Sequence, residues 1–340
     1  MTLPVMHSSI HKTKATAITL AALLMSGTIH AADRVTFQLD WLPGGDKAPV
    51  YVGLAQGFFE ERDLDVHISQ GRGSTDAITK LATGQADIGL SDITALMIAH
   101  AEGDVPVKGV YSVFSQPPHA FYVLKDSDIE QVSDVADKRI ATSPFTSSNL
   151  FLPLLLEMNG VDEQSVNLIQ SDPGTLSPML LNGRTDVVIS WITDQERYAD
   201  NARSIGQSLR VIPWHEAGLE AYATTLIASE RFLDERPDVA KRFVEAYEQA
   251  IEYTWANPEQ AAVAVNDVVP EVEIDMAART IEAIRSLVFN DFSAANGLGT
   301  FEPGRLASTW QWTANAQEMD PEVLDPESIV DRRFLPGSSR

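Results

Sequence analysis

The sequence predicts an α/β protein of two similarly built lobes, joined by a two-strand hinge with a ligand cleft between them. Three observations carry this. The phrase Leu81-Ala-Thr-Gly84-Gln-Ala-Asp87-Ile-Gly-Leu-Ser91 returns as Leu180-Leu-Asn-Gly183-Arg-Thr-Asp186-Val-Val-Ile-Ser190. Each copy reads as a helix end, a glycine that suits a left-handed cap because it lacks a Cβ, and an aliphatic run fit for a strand covered on both faces. Glu157-Met-Asn159-Gly160-Val161 mirrors Phe59-Glu-Glu-Arg-Asp-Leu64, so more than one segment corresponds. Finally, Tyr222-Ala-Thr-Thr-Leu-Ile-Ala228 reads as a strand that carries the chain back to the first lobe, and two crossings make a hinge.

In order along the chain, Val35 to Leu39 alternates as a first strand and is stopped by the turn Asp40-Trp41-Leu42-Pro43-Gly44-Gly45. A helix over Ala48 to Gln56 is broken by Gly57, and Leu64 to Ile68 is the second strand. Gly71-Arg-Gly73-Ser74-Thr75-Asp76 leads into the helix that ends at Gly84, with Ser74 and Asp76 supplying N-cap chemistry. Val105 to Val113 and Phe121 to Leu124 flank Ser115-Gln-Pro-Pro118-His119, the passage out of the first lobe. The second lobe repeats the order: strand Arg139 to Thr142, polar loop Ser143 to Asn149, helix Leu150 to Asn159, strand Ser165 to Gln170, helix Leu176 to Leu181, then the repeated phrase. From Pro237 a long helix spaces Phe243, Tyr247, Ile251 and Trp255 by four residues, as a buried stripe requires. The remaining Glu- and Ala-rich segments and Trp310-Gln-Trp312 read as helices on the first lobe. The expected organisation is therefore 1–31 signal segment, 32–118 first lobe, 119–221 second lobe and 222–340 return to the first.

The signal assignment rests on His11, Lys12 and Lys14 preceding an apolar, small-residue stretch from Ala15 to Ile29, with cleavage expected after Ala31. That stretch is shorter than the roughly 20 apolar residues a membrane span needs. The chain has no cysteine, which rules out disulfides, a thioether lipid anchor and a thiolate nucleophile or ligand, so an exported, soluble protein that is not a lipoprotein is expected. Asp and Glu outnumber Lys and Arg by 48 to 25, for a formal charge of −23, and the acids are scattered. That balance argues against nucleic acid or an anionic membrane as partner, since both require basic patches.

No HExxH, CxxC, strand-linked GxGxxG, GxxxxGK or GxSxG occurs, so the mechanically interpretable enzyme signatures are missing. His100, His119 and His215 have no ligand partner at helix-face spacing, and neither a metal site nor a cofactor is expected. What stands at strand ends is aromatic and hydroxyl-bearing. In open α/β sheets ligands collect outside the carboxyl ends of the strands. This makes candidates of Asp40 and Trp41 after the first strand, Ser91 and Asp92 facing Ser190 and Trp191, then Thr142, Ser143, Thr146 and Ser147, and finally Thr193, Asp194, Glu196 and Tyr222. A flat ring stacked on Trp41 would gain about 0.5–1.5 kcal/mol beyond area burial, with hydroxyls and carboxylates orienting it.

Leu39-Asp40-Trp41-Leu42-Pro43, Tyr51-Val-Gly-Leu-Ala-Gln-Gly57-Phe-Phe-Glu60, Leu64-Asp-Val66 and Gly84-Gln-Ala-Asp87-Ile-Gly89 closely resemble the NMT1/THI5-like and SsuA-like family of periplasmic solute-binding proteins, and the likeness runs through Arg333-Phe-Leu-Pro336. The resemblance implies a type II periplasmic binding protein fold that closes on a small molecule as a monomer and delivers it to the permease of an ABC transporter in the inner membrane. A subgroup with the motif LDWxPN binds thiamine-related pyrimidines with the motif's Trp on the ring; Trp41 matches that Trp, while Gly44 stands where the motif has Asn. Glu196 is the counterpart of a subgroup Glu that follows an aromatic pair, replaced here by Thr193 and Gln195. Other members take sulfonates, taurine or riboflavin, and Ser143 to Asn149 would suit an anion at a helix start. A yeast branch makes the thiamine pyrimidine enzymatically, with a Cys-rich motif this chain lacks.

Overall fold

The computed structural model describes residues 32–103, 105–217 and 221–337. The expected signal segment lies outside the described residues. In chain order the first elements are β1 (Asp33–Gln38), α1 (Ala48–Ala55), β2 (Leu64–Ser69), α2 (Ser74–Ala82), β3 (Ile88–Asp92), α3 (Ile93–Glu102) and β4 (Val107–Ser112). Then follow β5 (His119–Leu124), β6 (Arg139–Thr142), α4 (Ser148–Met158), β7 (Asn167–Gln170), α5 (Pro173–Leu181), β8 (Val187–Trp191), α6 (Gln195–Ser204) and β9 (Leu209–Pro213). The chain ends through β10 (Thr224–Ser229), α7 (Glu230–Glu235), α8 (Pro237–Ala256), α9 (Pro258–Val268), α10 (Ile274–Ala283), the single turn α11 (Arg285–Val288), α12 (Asp291–Asn296) and α13 (Pro303–Ala316).

These strands form two five-stranded sheets of one plan, ordered β2-β1-β3-β10-β4 and β7-β6-β8-β5-β9. In each, four strands run in one direction, and the strand that arrives from the other half, β10 or β5, inserts antiparallel to both neighbours. The repeated phrase does the same physical work in both. Gly84 and Gly183 take left-handed φ of 74° and 67°, which end α2 and α5 and let the chain reverse into a strand. The Asp that follows is a register peg. Asp87 exchanges bonds with Thr36 on β1, its carboxylate accepting from the amide at 2.9 Å, and Asp186 repeats the contact with the Arg139 amide on β6, also at 2.9 Å. β3 and β8 are buried along their whole length, the polar Ser91, Asp92 and Ser190 near their carboxyl ends included.

The core of the first half lies between its sheet and α8. Phe243, Tyr247, Ile251 and Trp255 are all buried there, and Phe37 stacks on Phe243 and Tyr247 with centroids 5.7 and 6.0 Å away. Full burial of such a side chain is worth about 1.5–3 kcal/mol. The second half has its own clusters, one around Phe121, Phe151 and Trp214 and one around Tyr122, Leu176 and Tyr198.

Several sequence expectations shift. Ser74 is the first residue of α2 rather than its cap; Gly73 stands at the cap with no side-chain bond, and the Ser74 hydroxyl accepts from the Asp92 amide at 3.1 Å. β7 begins at Asn167, because Glu163–Ser165 forms a 3-10 turn whose Asp162 cap ties down the Gln164 amide. α4 starts at Ser148 and β10 at Thr224. α13 does not serve the first half alone: Leu150 packs against the cluster holding Leu306 and Trp310, and Gln317 Nε2 donates to the Leu150 carbonyl at the start of α4.

Candidate functional site

The carboxyl ends of β1 and β3 meet those of β6 and β8 at a small cavity lined by Asp40, Trp41, Gly73 and Ser74 on one side and Thr146, Ser190 and Trp191 on the other. It encloses about 10 Å³, the room of one water. The two halves are thus closed on each other.

Backbone geometry brings the walls this close. Gly73, at φ 156°, has no side chain, and a Cβ there would fall 2.1 Å from the Phe145 carbonyl oxygen of the opposing loop. That carbonyl accepts instead from the Thr75 amide (3.2 Å) and hydroxyl (3.1 Å) at the start of α2. Beside it, Ser143 Oγ donates to the Arg72 carbonyl at 2.8 Å. On the other flank Trp41 Nε1 donates to Asp194 Oδ2 at 3.1 Å, and the Ser190 hydroxyl donates to the same oxygen. Arg279 of α10 also bridges the halves, reaching Glu196 and Asp200 of α6, each at 2.7 Å.

Behind the lining sits a buried charge cluster. Lys47 Nζ lies 2.6 Å from Asp40 and 2.9 Å from Asp46, with all three side chains nearly inaccessible, and 5.6 Å from the Trp191 ring centroid. Burial alone would push Lys47 down, but the two carboxylates more than offset it and raise its pKa, so the ammonium stays protonated. Burial raises Asp46, with Lys47 opposing. Arg197 pairs with Asp194.

A second buried group joins the halves next to the hinge. Asp92 caps α3 through the Thr94 amide and accepts from Ser147 Oγ at 2.6 Å. His119 Nε2 is 3.4 Å from the same carboxylate, and its Nδ1 is 2.9 Å from Ser148 Oγ. Burial lifts Asp92 to about 6, partly countered by the Ser147 and Thr94 bonds. Burial drops His119 to about 3, leaving the imidazole neutral.

Of the candidates read from the sequence, Asp40, Trp41, Thr146, Ser190 and Trp191 line the cavity. Asp194 stands directly behind it, bonded to Trp41 and Ser190, and Thr193 is buried in the 3-10 turn before it. Asp92, Ser143 and Ser147 instead make contacts between the halves. Four candidates stand away from the lining. Ser91 is sealed, its hydroxyl held by the Ser74 and Asp92 carbonyls, and Thr142 Oγ1 is used by Asn149 at 2.7 Å. Glu196 is engaged by Arg279 of α10. Tyr222 precedes β10 and turns away, its hydroxyl between the Thr300 carbonyl and the Glu302 amide and its ring edge-on to Phe292. The sequence reading missed Asp46, Lys47, Arg197 and His119. Charged residues in a Pro-Gly turn look solvated, and His119 looks isolated because its carboxylate partner is distant in sequence.

Two open mixed sheets facing a shared cleft define a periplasmic-binding-protein fold. The chain belongs to the NMT1/THI5-like family, whose model matches residues 45–261. It is 25% identical over 284 residues to the formylaminopyrimidine-binding protein of Halalkalibacterium halodurans, covering 83% of each chain. It is 24% identical over 261 residues to the 4-amino-5-hydroxymethyl-2-methylpyrimidine phosphate synthase THI13 of Saccharomyces cerevisiae, covering 73% of this chain and 74% of that one. In structure it resembles the MOPS-bound alkanesulfonate-binding protein SsuA of Xanthomonas axonopodis pv. citri, with a TM-score of 0.70, 16% identity, and coverage of 89% of this chain and 98% of that one. No helix among the described residues is long and apolar enough to cross a membrane.

Proposed function

We propose that the chain is the periplasmic substrate-binding component of an ABC importer, a monomer that captures an aromatic N-heterocycle such as a thiamine pyrimidine precursor by hinge closure and carries it to the permease. The observation that supports this most is the cleft itself. Trp41 from one half and Trp191 from the other line one cavity, with carboxylates beside them, and the binding energy of a ring between them favours the closed state over the open one. The formylaminopyrimidine-binding relative makes the pyrimidine class the first to test.

The synthase relatives support a second reading, in which the cleft performs chemistry. The state of Lys47 speaks against imine chemistry at that amine, because an ammonium held by two carboxylates has no lone pair to offer. Calorimetry with pyrimidines, alkanesulfonates and flavins tests the binding reading. Saturable binding of a pyrimidine that Trp41→Ala weakens at least about tenfold, with the melting temperature of the empty protein nearly unchanged, is expected. Unchanged affinity with a large loss of stability would make Trp41 part of the core instead. Pyrimidine uptake should fall in a deletion strain; unchanged uptake would remove the import role.

A further inference from the structure

The cavity's charge is one-sided. Among its lining residues the charged side chain is Asp40, and none is cationic. The cations behind the wall are already committed, Lys47 to Asp40 and Asp46, and Arg197 to Asp194. Three carboxylates thus face two cations in the buried cluster, before Asp92 is added at its edge. At the helix starts that border the cleft, where an anion would ordinarily sit, the protein already places acceptors of its own. The Phe145 carbonyl occupies the Thr75 amide at the start of α2, and the Asp92 carboxylate holds Ser147 at the start of α4. A sulfonate placed at either would face a carbonyl or a carboxylate. In the same wall Trp191 is 8% exposed, and its indole N–H is buried without a hydrogen-bond partner. Such a donor costs free energy until an acceptor reaches it.

We propose that the cleft selects a ligand presenting a positively charged nitrogen together with a separate hydrogen-bond acceptor, an amine- or amidine-bearing heterocycle, and rejects anions. The nitrogen would compensate Asp40 and, behind it, Asp194; the acceptor would satisfy Trp191. This rests on the binding-protein reading above and narrows it. The charge is what discriminates, because a buried carboxylate excess favours a cation and penalises an anion far more than the same charges would in water.

Calorimetry on the purified protein at neutral pH compares 4-amino-5-aminomethyl-2-methylpyrimidine with its 5-hydroxymethyl counterpart, which has the same ring and no ammonium, and with taurine and butanesulfonate. The aminomethyl compound should bind about tenfold tighter or more than the hydroxymethyl one, with no heat from either sulfonate. Asp40→Asn should bring the two pyrimidines close to equal affinity, and Asp194→Asn serves the same purpose if Asp40→Asn does not fold. Binding of both pyrimidines with equal or reversed preference would overturn the charge selection and leave the heterocycle reading standing. Binding of a sulfonate and of neither pyrimidine would overturn both.

Discussion

Asp92 and His119 show how two buried groups can hide each other's titration. Asp92 is raised from 3.8 to about 6 by burial. Between those values the folded state holds a proton that the unfolded state has released, so this group makes stability fall as pH rises. His119 is lowered from 6.5 to about 3. Over that window the unfolded state holds the extra proton, and stability rises with pH. The two contributions oppose each other, so their sum in the parent is shallow. Asp92→Asn leaves the His119 contribution alone, and its stability relative to the parent should grow as pH rises from about 4 to 6, by on the order of 2–3 kcal/mol. His119→Gln should show the opposite slope. Denaturant melts across that range decide it; parallel curves for parent and both variants would mean that neither group titrates as its burial dictates. The pair was illegible in the sequence because Asp92 ends β3 and His119 opens β5, and only the arrangement of the two sheets sets them 3.4 Å apart.

At the scale of elements, most of the fold was legible. The cap glycine, the peg aspartate and the apolar strand are local signals, and two copies of one local signal were enough to predict two sheets of one plan. The glycines should behave as caps and nothing more. Gly183→Ala, at a left-handed φ with open space around it, should cost about 1–2 kcal/mol and leave ligand affinity unchanged. Gly84→Ala should cost at least as much, because its Cβ would lie 3.3 Å from the Arg231 guanidinium. A drop in affinity for either would mean that the cap helps to shape the cleft. The pairing of α6 with α10 was not legible, since Glu196 and Arg279 lie far apart in the chain and each reads as an ordinary surface charge. Their contact is partly exposed, so it should contribute only about 0.2–1 kcal/mol per pair. Because it joins a helix of one half to a helix of the other, it is a clasp on closure. Arg279→Ala should weaken ligand binding severalfold, mainly through faster release, and the difference from the parent should shrink in high salt. Equal release rates at low salt would remove the clasp.

For the whole molecule, the closed cleft sets the requirement that ligand and opening are coupled. A cavity with room for one water does not hold a ring, so capture of a heterocycle as proposed requires a state in which the Thr75–Phe145, Trp41–Asp194 and Arg279–Glu196 contacts are broken. Under the proposed function the ligand then favours a form closed around itself over the open one. The sequence placed Trp41 and Trp191 at this cleft because strand ends in α/β sheets converge there. It did not reveal the ionic floor under them, because the burial of Lys47 depends on how the turn after β1 packs against α9, α10 and the Trp191 ring. The most direct test is small-angle X-ray scattering of the purified protein, alone and saturated with the tightest-binding pyrimidine. A radius of gyration that falls on ligand addition in the parent, and does not fall in Trp41→Ala at the same ligand concentration, is the predicted result. Identical scattering with and without saturating ligand in the parent would contradict capture by closure.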